Sequence, residues 1–269
     1  MSSGGTGGGM GGLADLGSAA RRWHVMLTLG WQEVATRYHR SRIGPFWLTI
    51  NRGVLILALS VVFGTLFGLD YREFIPYLAI GLILWGFISA SITDGCTAFI
   101  RASGTILQVR MPLSIHVGSV LYKNLLVTAH DILIIPVVFV VLLRPVGLEA
   151  LLAIPGFLLL TLNLGWMMLA LAVICARFRD VVEIVTNILQ VMFYLTPIIW
   201  TVELLAQRVE QSIVDLNPLY HLITIVRGPL MSTPTVAINW IVPAVMAMVG
   251  WAIAIYLFGR YRQRIPYWL

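Results

Sequence analysis

An all-α fold embedded in a membrane is what this sequence predicts, and three observations predict it. Of 269 residues, 59% are apolar and 11% are charged, against roughly 25% charged in an average soluble domain. Eighteen basic and twelve acidic residues cannot coat a water-facing surface on a chain of this length, which excludes a soluble globular protein. The apolar residues also fall into six blocks, at 47–69, 74–93, 120–143, 150–175, 181–200 and 236–258. Each is close to the about 20 residues that cross a bilayer as a helix. Finally, Lys and Arg are distributed unevenly. With six crossings, 14 of the 18 fall on one side, and only Arg72, Arg144, Arg208 and Arg227 on the other. Basic residues favour the cytoplasmic side, so both termini are expected there.

The elements follow in order. Residues 1–20 hold eight Gly with Ser, Thr and Ala and no apolar block, so a flexible Gly-rich tail is expected. Residues 21–269 are expected to form one transmembrane domain. It begins with an amphipathic helix, because Trp23, Met26, Leu27, Trp31, Val34 and Tyr38 recur at helical spacing while His24, Thr28, Gln32 and Glu33 fall elsewhere. Two Trp on the apolar face and a basic end suit a helix lying among headgroups.

Two connections between blocks are not simple loops. Residues 101–113 place Ile106, Leu107, Val109 and Met111 beside Arg101 and Arg110, too apolar for a solvated turn, and could dock a partner protein. Residues 201–235 carry short apolar pieces at 213–216 and 220–226, cut by Pro218 and Pro229. Each is too short to cross, so short broken helices are expected between the fifth and sixth spans. Such helices are tolerated at membrane depth only where protein or a water-filled cavity satisfies the backbone.

Absences narrow the chemistry. The single Lys, Lys123, is not preceded by Gly, so the phosphate-cradling Gly-Lys-Ser/Thr loop is missing and ATP hydrolysis by that route is excluded. There is no His-Glu-x-x-His, Cys-x-x-Cys or Gly-x-Ser-x-Gly pattern, and no metal site is expected. Cys96 and Cys175 read as free thiols. The Arg residues sit beside apolar runs, so the net charge of +6 does not indicate nucleic acid.

Asp94, His130 and Asp131 fall in or beside spans. An ionisable group at the bilayer centre costs about 2.5–3.5 kcal/mol on insertion scales, so it faces the bundle interior or water. One reading is a proton relay. The other is helix packing, through a hydrogen bond to a neighbour such as Asn163 or Thr161. Aromatic residues are plentiful in and beside spans one, two and five, as Trp47, Phe63, Phe67, Trp85, Phe87, Phe193, Tyr194 and Trp200. Most aromatics at such positions anchor at interfaces, but flat rings also give a sliding ligand smooth, low-specificity contacts.

Several words in the chain resemble a known family. Arg37-Tyr38-His39-Arg40-Ser41-Arg42-Ile43-Gly44-Pro45-Phe46-Trp47 is similar to the Arg-Tyr-x-x-Ser-x-Leu-Gly-x-x-Trp lead into the first span of Wzm-like permeases. These are the transmembrane subunits of ABC transporters that export O-antigen, capsule and teichoic acid. Arg177-Phe178-Arg179-Asp180, Thr196-Pro197, and Leu216-Asn217-Pro218-Leu219 followed by Arg227 resemble later motifs of that family, in order over residues 23–269. Ile43 stands where Leu is usual, and the chain carries no nucleotide-binding domain, which in this family belongs to a separate subunit.

The resemblance implies a homodimer bound to two ATPase subunits in the bacterial inner membrane, exporting a lipid-linked glycan without catalysis of its own. ATP and Mg would sit on the ATPase, and this chain would hold no cofactor. The helix with Trp23 and Trp31 would be the interface helix. The segment with Arg101, Ile106, Leu107, Val109, Arg110 and Met111 would include the coupling helix seated in the ATPase. Pro197, Asn217, Pro218 and Arg227 would belong to the outer gate. Arg37, Arg40, Arg42, Arg177 and Arg179 would meet a pyrophosphate or anionic lipid, since guanidinium pairs bidentately with phosphate. The glycan path would draw on Trp47, Phe63, Phe67, Trp85, Phe87, Phe193 and Tyr194. A proton- or ion-coupled carrier using Asp94, His130 and Asp131 stands as the alternative, although no internal repeat supports it. A membrane-embedded enzyme would want paired acids, and Asp180 with Glu183 reads rather as a helix cap.

Overall fold

The computed structural model describes residues 7–38, 46–202 and 214–269, and every regular element among them is helical. Two helices precede the first span: α1 (Gly7–Arg21) and α2 (Trp23–Tyr38). The expected tail is therefore corrected from Gly7 onward. Glycine is a poor helix former, yet here it lets α1 lie directly on the last span, where a Cβ on Gly12 would strike the carbonyl oxygen of Ile255. Tertiary packing overrides local preference.

The first two spans are α3 (Phe46–Phe67) and α4 (Tyr71–Arg101). The second runs eight residues past its expected end at Thr93. Hydropathy falls at Asp94, but that carboxylate accepts a 2.6 Å hydrogen bond from Lys123 and a 3.0 Å one from Arg101, so the helix continues through it. After Ala102 comes the short α5 (Ser103–Gln108).

The third span starts early and is broken, as α6 (Ser114–Ile132) and α7 (Ile134–Val141). Pro136 has no N–H to offer the Ile132 carbonyl, which places the break one turn before it. A 3₁₀ turn at Leu148–Leu152 leads into α8 (Ala153–Arg177), the fourth span.

The fifth expected span is different. The helix α9 (Val181–Leu195) has 15 residues and rises about 22 Å, less than the roughly 30 Å hydrocarbon core. Pro197 ends it, because a residue before proline is pushed out of the helical region, and Thr196 is extended at φ −90°, ψ 134°. Among the described residues, five helices are long and apolar enough to cross a membrane, and α9 is a shorter apolar one. A half-length helix, α10 (Pro218–Leu230), precedes the last span, α11 (Ala237–Tyr261), and the terminal turn α12 (Ile265–Trp268).

The core sits around α4, whose Leu78, Ile80, Ile83, Leu84, Phe87 and Ile88 are fully buried by neighbours on every side. A second cluster joins Phe99, Met168, Ala172, Phe258 and Ile265 near the end that also carries α1, α5 and α12. The opposite end holds the turns at Gly68, Leu143 and Ser232. By contrast, α3 touches the rest along one edge and leaves Val54, Leu55, Leu57, Val61, Val62 and Leu66 uncovered.

Candidate functional site

Three regions gather polar side chains that this apolar chain would otherwise avoid. The first lies beyond α9, where two separate stretches of the chain meet. Asn217 caps α10: its Oδ1 accepts from the Leu219 N–H at 3.0 Å, as Asn does at helix starts, and Pro218 takes the first helical position, where a missing N–H costs nothing. The Asn217 Nδ2 donates to the Thr196 hydroxyl at 2.8 Å. One turn from the far end of α10, the Arg227 Nη1 donates to the Pro197 carbonyl at 2.8 Å. Thr196-Pro197 and Asn217 through Arg227 thus lock together.

Sequence reasoning missed the third member of this cluster. The Tyr77 ring lies 3.9 Å beneath the Arg227 guanidinium, and its hydroxyl is 3.0 Å from the Pro197 carbonyl and 3.1 Å from that of Trp200. Its only signal was a phenol in an otherwise apolar span, which marks a buried O–H in need of a partner.

The second region is the end bearing α5. Leu107 and Val109 are exposed on it, and Arg110 beside them, while Ile106 and Met111 are half-buried. Trp23 and Trp31 on α2 are likewise exposed, while Val34 and Gly30 of the same helix pack inward. Gly30 has to be glycine, since a Cβ there would meet the Ser119 carbonyl of α6. Behind these surfaces runs a charge network. Lys123 is 5% exposed, with Nζ 2.6 Å from Asp94 and 3.8 Å from Glu33, and Asp94 also holds Arg101. It ties α2, α4 and α6 together.

Asp15 of α1 completes that end and was not foreseen. Its carboxylate accepts from the Leu113 N–H at 3.2 Å, and from the Ser114 N–H and hydroxyl at 3.1 and 2.6 Å. An α-helix begins with unpaired N–H groups, and here a neighbouring helix caps them. Asp15 thereby pins the segment that follows α5.

The third region is the outward face of α9. Glu183, Asn187, Gln190 and Tyr194 recur at i, i+4, i+7 and i+11, and all four are exposed. Polar side chains within a span normally face the protein or water rather than lipid. This stripe therefore lacks its neighbour within one protomer.

The remaining expected residues divide. Trp47, Phe67 and Tyr194 are exposed, and Phe63 and Phe193 are half-buried, with Phe63 stacked on Phe67 at 5.7 Å. Phe87 is corrected to a core residue: it is 2% exposed and stacks on Phe157, so it faces no path. Trp85 is also buried, against Phe193 at 5.6 Å. Arg177 and Arg179 are exposed, and the Arg177 guanidinium lies 5.5 Å from the Trp268 ring. Arg40 and Arg42 lie outside the described residues, as does the side chain of Arg37.

The ionisable groups inside the spans pair locally, while the Ser60 and Ser91 hydroxyls and the Asn124 amide nitrogen are buried without a hydrogen-bond partner among the described residues. Asp131 does not reach Asn163 or Thr161, as helix packing against span four would require. It holds Arg52 of α3 at 3.0 Å and accepts from Thr49 at 3.3 Å. Asn163 instead donates to the Pro243 carbonyl at 3.0 Å, and His130 bonds the carbonyl of Leu126 one turn back. Cys96 and Cys175 are free and buried. Among the described residues, no three His, Cys, Asp or Glu side chains converge as metal ligands would.

Residues 24–231 match the model of a membrane protein family described as ABC-2 type transporter. The chain belongs to that family. Its ABC-2 relatives include the O-antigen export system permease protein RfbA of Myxococcus xanthus, 25% identical over 205 residues, 74% of this chain and 77% of that one. The RfbA protein of Klebsiella pneumoniae is 24% identical over 235 residues, covering 82% of this chain and 87% of its own. A further Klebsiella pneumoniae RfbA is 23% identical over 197 residues. The resemblance to Wzm-like permeases, read from four short motifs, is borne out. Both α1, with Asp15, and α11 lie outside the matched residues.

Proposed function

We propose that this chain is the permease subunit of an ABC exporter that moves a lipid-linked polysaccharide or oligosaccharide from the cytoplasmic to the outer side of the bacterial inner membrane. A separate ATPase subunit, in two copies, supplies the energy and binds ATP and Mg. Two copies of this chain form the path between them. The observation that carries this reading is the exposed polar stripe of α9, Glu183 to Tyr194, on a protomer that otherwise turns apolar side chains outward. A second copy facing it would enclose a polar, ring-lined passage, which suits a chain of sugars.

The rest of the reading is built on the two ends. The exposed Leu107 and Val109, with Trp23 and Trp31 on α2, offer the ATPase an apolar foothold backed by the Lys123–Asp94 network. The Asn217, Thr196, Pro197 and Arg227 cluster closes the outer mouth. Arg37, Arg40, Arg42, Arg177 and Arg179 receive the anionic anchor of the glycan. The carrier alternative loses support, because Asp94 and Asp131 are each ion-paired, leaving neither as a free carboxylate for proton relay.

The test is reconstitution. Co-expressed with a partner ATPase subunit, the chain should co-purify with two copies of that subunit and export lipid-linked glycan from liposomes only when ATP is present. Turnover by the isolated chain without any ATPase would end the reading. Replacing Arg40 and Arg42 with Lys tests the anchor site: charge survives but the bidentate geometry does not, so unchanged export would remove phosphate recognition from those positions.

A further inference from the structure

Behind the gate cluster, within a single protomer, lies a cavity of about 500 Å³ that the gate itself does not require. It opens between the start of α4, the outer half of α10 and the start of α11. Arg227 is 6% exposed, yet among the described residues its guanidinium makes one hydrogen bond, to Pro197, and stacks on Tyr77. A guanidinium has five N–H donors. A charge buried with most of its donors unused is costly, unless something in the cavity accepts from them. The Thr224 side chain lines the same space, and its hydroxyl, shielded from solvent, has no hydrogen-bond partner among the described residues.

The wall opposite is acidic and aromatic. Asp70 and Glu73 line it, with the rings of Tyr77 and Tyr220. Asp70 spends one oxygen on the Arg72 N–H, and Glu73 pairs with Arg144 at 2.7 Å. With Glu73 neutralised by Arg144, the lining balances Asp70 against Arg227 and has no net positive charge to hold a phosphate or an acidic group. It favours a ligand whose groups both donate and accept. Hydroxyls do that, and a pyranose adds an apolar face that stacks on rings. The volume falls within the roughly 300–1,000 Å³ range of small-molecule sites.

We propose that this cavity is a binding subsite for a neutral sugar unit. Arg227 and Thr224 hydrogen-bond its hydroxyls from one side, Asp70 accepts from the other, and Tyr220 packs on its face. The subsite holds a sugar of the emerging chain beside the outer gate, and in that role it rests on the exporter reading. Because Arg227 also bonds Pro197, an occupied subsite bears directly on the gate.

The experiment uses the full chain in nanodiscs without ATPase. The methyl glycosides of glucose, galactose, mannose and N-acetylglucosamine are probed at millimolar concentration by saturation-transfer NMR. At least one should show transfer. Thr224→Val, which keeps the shape and removes the hydroxyl, should weaken it about five- to tenfold, and Thr224→Trp, which fills the cavity, should abolish it. Transfer from none of the four overturns the proposal, as does transfer that persists equally in both variants. Displacement of the bound glycoside by inorganic phosphate would show an anion site and overturn it too. If binding fails while ATP-driven export by the wild-type complex persists, the subsite falls and the exporter reading stands; if binding holds but no ATPase associates, the reverse is true.

Discussion

Two neighbouring helices of similar apolar character meet opposite fates. The span α4 is buried along most of its length, and its one internal acid, Asp94, is held by both Lys123 and Arg101. Of α9, only Leu189 is buried, and Glu183, Asn187, Gln190 and Tyr194 look away from the protomer. Asp94 of α4 finds its partners inside the protomer, whereas the polar groups of α9 face away from it. The first helix is scaffold, and the second is the surface that the proposed function puts to work. Since both are apolar by composition, only their surroundings tell them apart.

The largest effect that tests this contrast is on the scaffold. Lys123→Met removes one of the two cations that hold Asp94 and leaves Arg101 in place, so a loss of about 1.5–3 kcal/mol is expected. Expression and thermal unfolding in detergent should both fall, and adding Asp94→Asn should recover part of the loss, as coupled sites do. A tolerated Lys123→Met would break the claim that α4 depends on local pairing.

Next comes Asp131→Asn. The amide can still bond Thr49 and Arg52 but carries no charge, so a loss of about 1–2 kcal/mol is expected, while ATP-driven export continues. Loss of export with intact folding would return Asp131 to a proton-relay role and revive the ion-coupled carrier. Asp15→Ala comes third. Removing a helix cap costs about 1 kcal/mol, and the effect should be local: hydrogen exchange should quicken at residues 113–117 and stay unchanged in α8.

The smallest effect on stability should fall on α9. Asn187→Leu with Gln190→Leu touches exposed side chains, so unfolding should shift by no more than about 0.5 kcal/mol, yet export should drop. Unchanged export with these leucines would move the path elsewhere on the protomer. A large loss of stability would mean that the stripe is packed after all.

Parts of this could be read directly from the residues. Long apolar blocks announce spans, because lipid admits little else. Thr196-Pro197 and Asn217 through Arg227 stood out as separate motifs, and the structure joins them by hydrogen bonds. The misreadings share one cause. The α4 helix was cut at Asp94, and the Asp131 partner was sought on span four, because a charge seen alone in sequence reads as an end or an exposure until its partner is known. The Gly-rich start read as a tail because the surface that makes glycine useful, the backbone of α11 at Ile255, lies more than 200 residues away.

By itself the sequence determined the solvent, the helical class, the approximate spans and the absence of an ATP-hydrolysing loop, since these depend on composition and on spacing within one helix. Tertiary structure decided what each polar group does. It paired Lys123 with Asp94 and Arg52 with Asp131, set Asp15 against the start of α6, placed Tyr77 under Arg227, and left the stripe of α9 open. In a low-dielectric bundle the energy of a charge or a hydrogen bond rests on a partner a few ångströms away, and distance along the chain says little about which residue that partner will be.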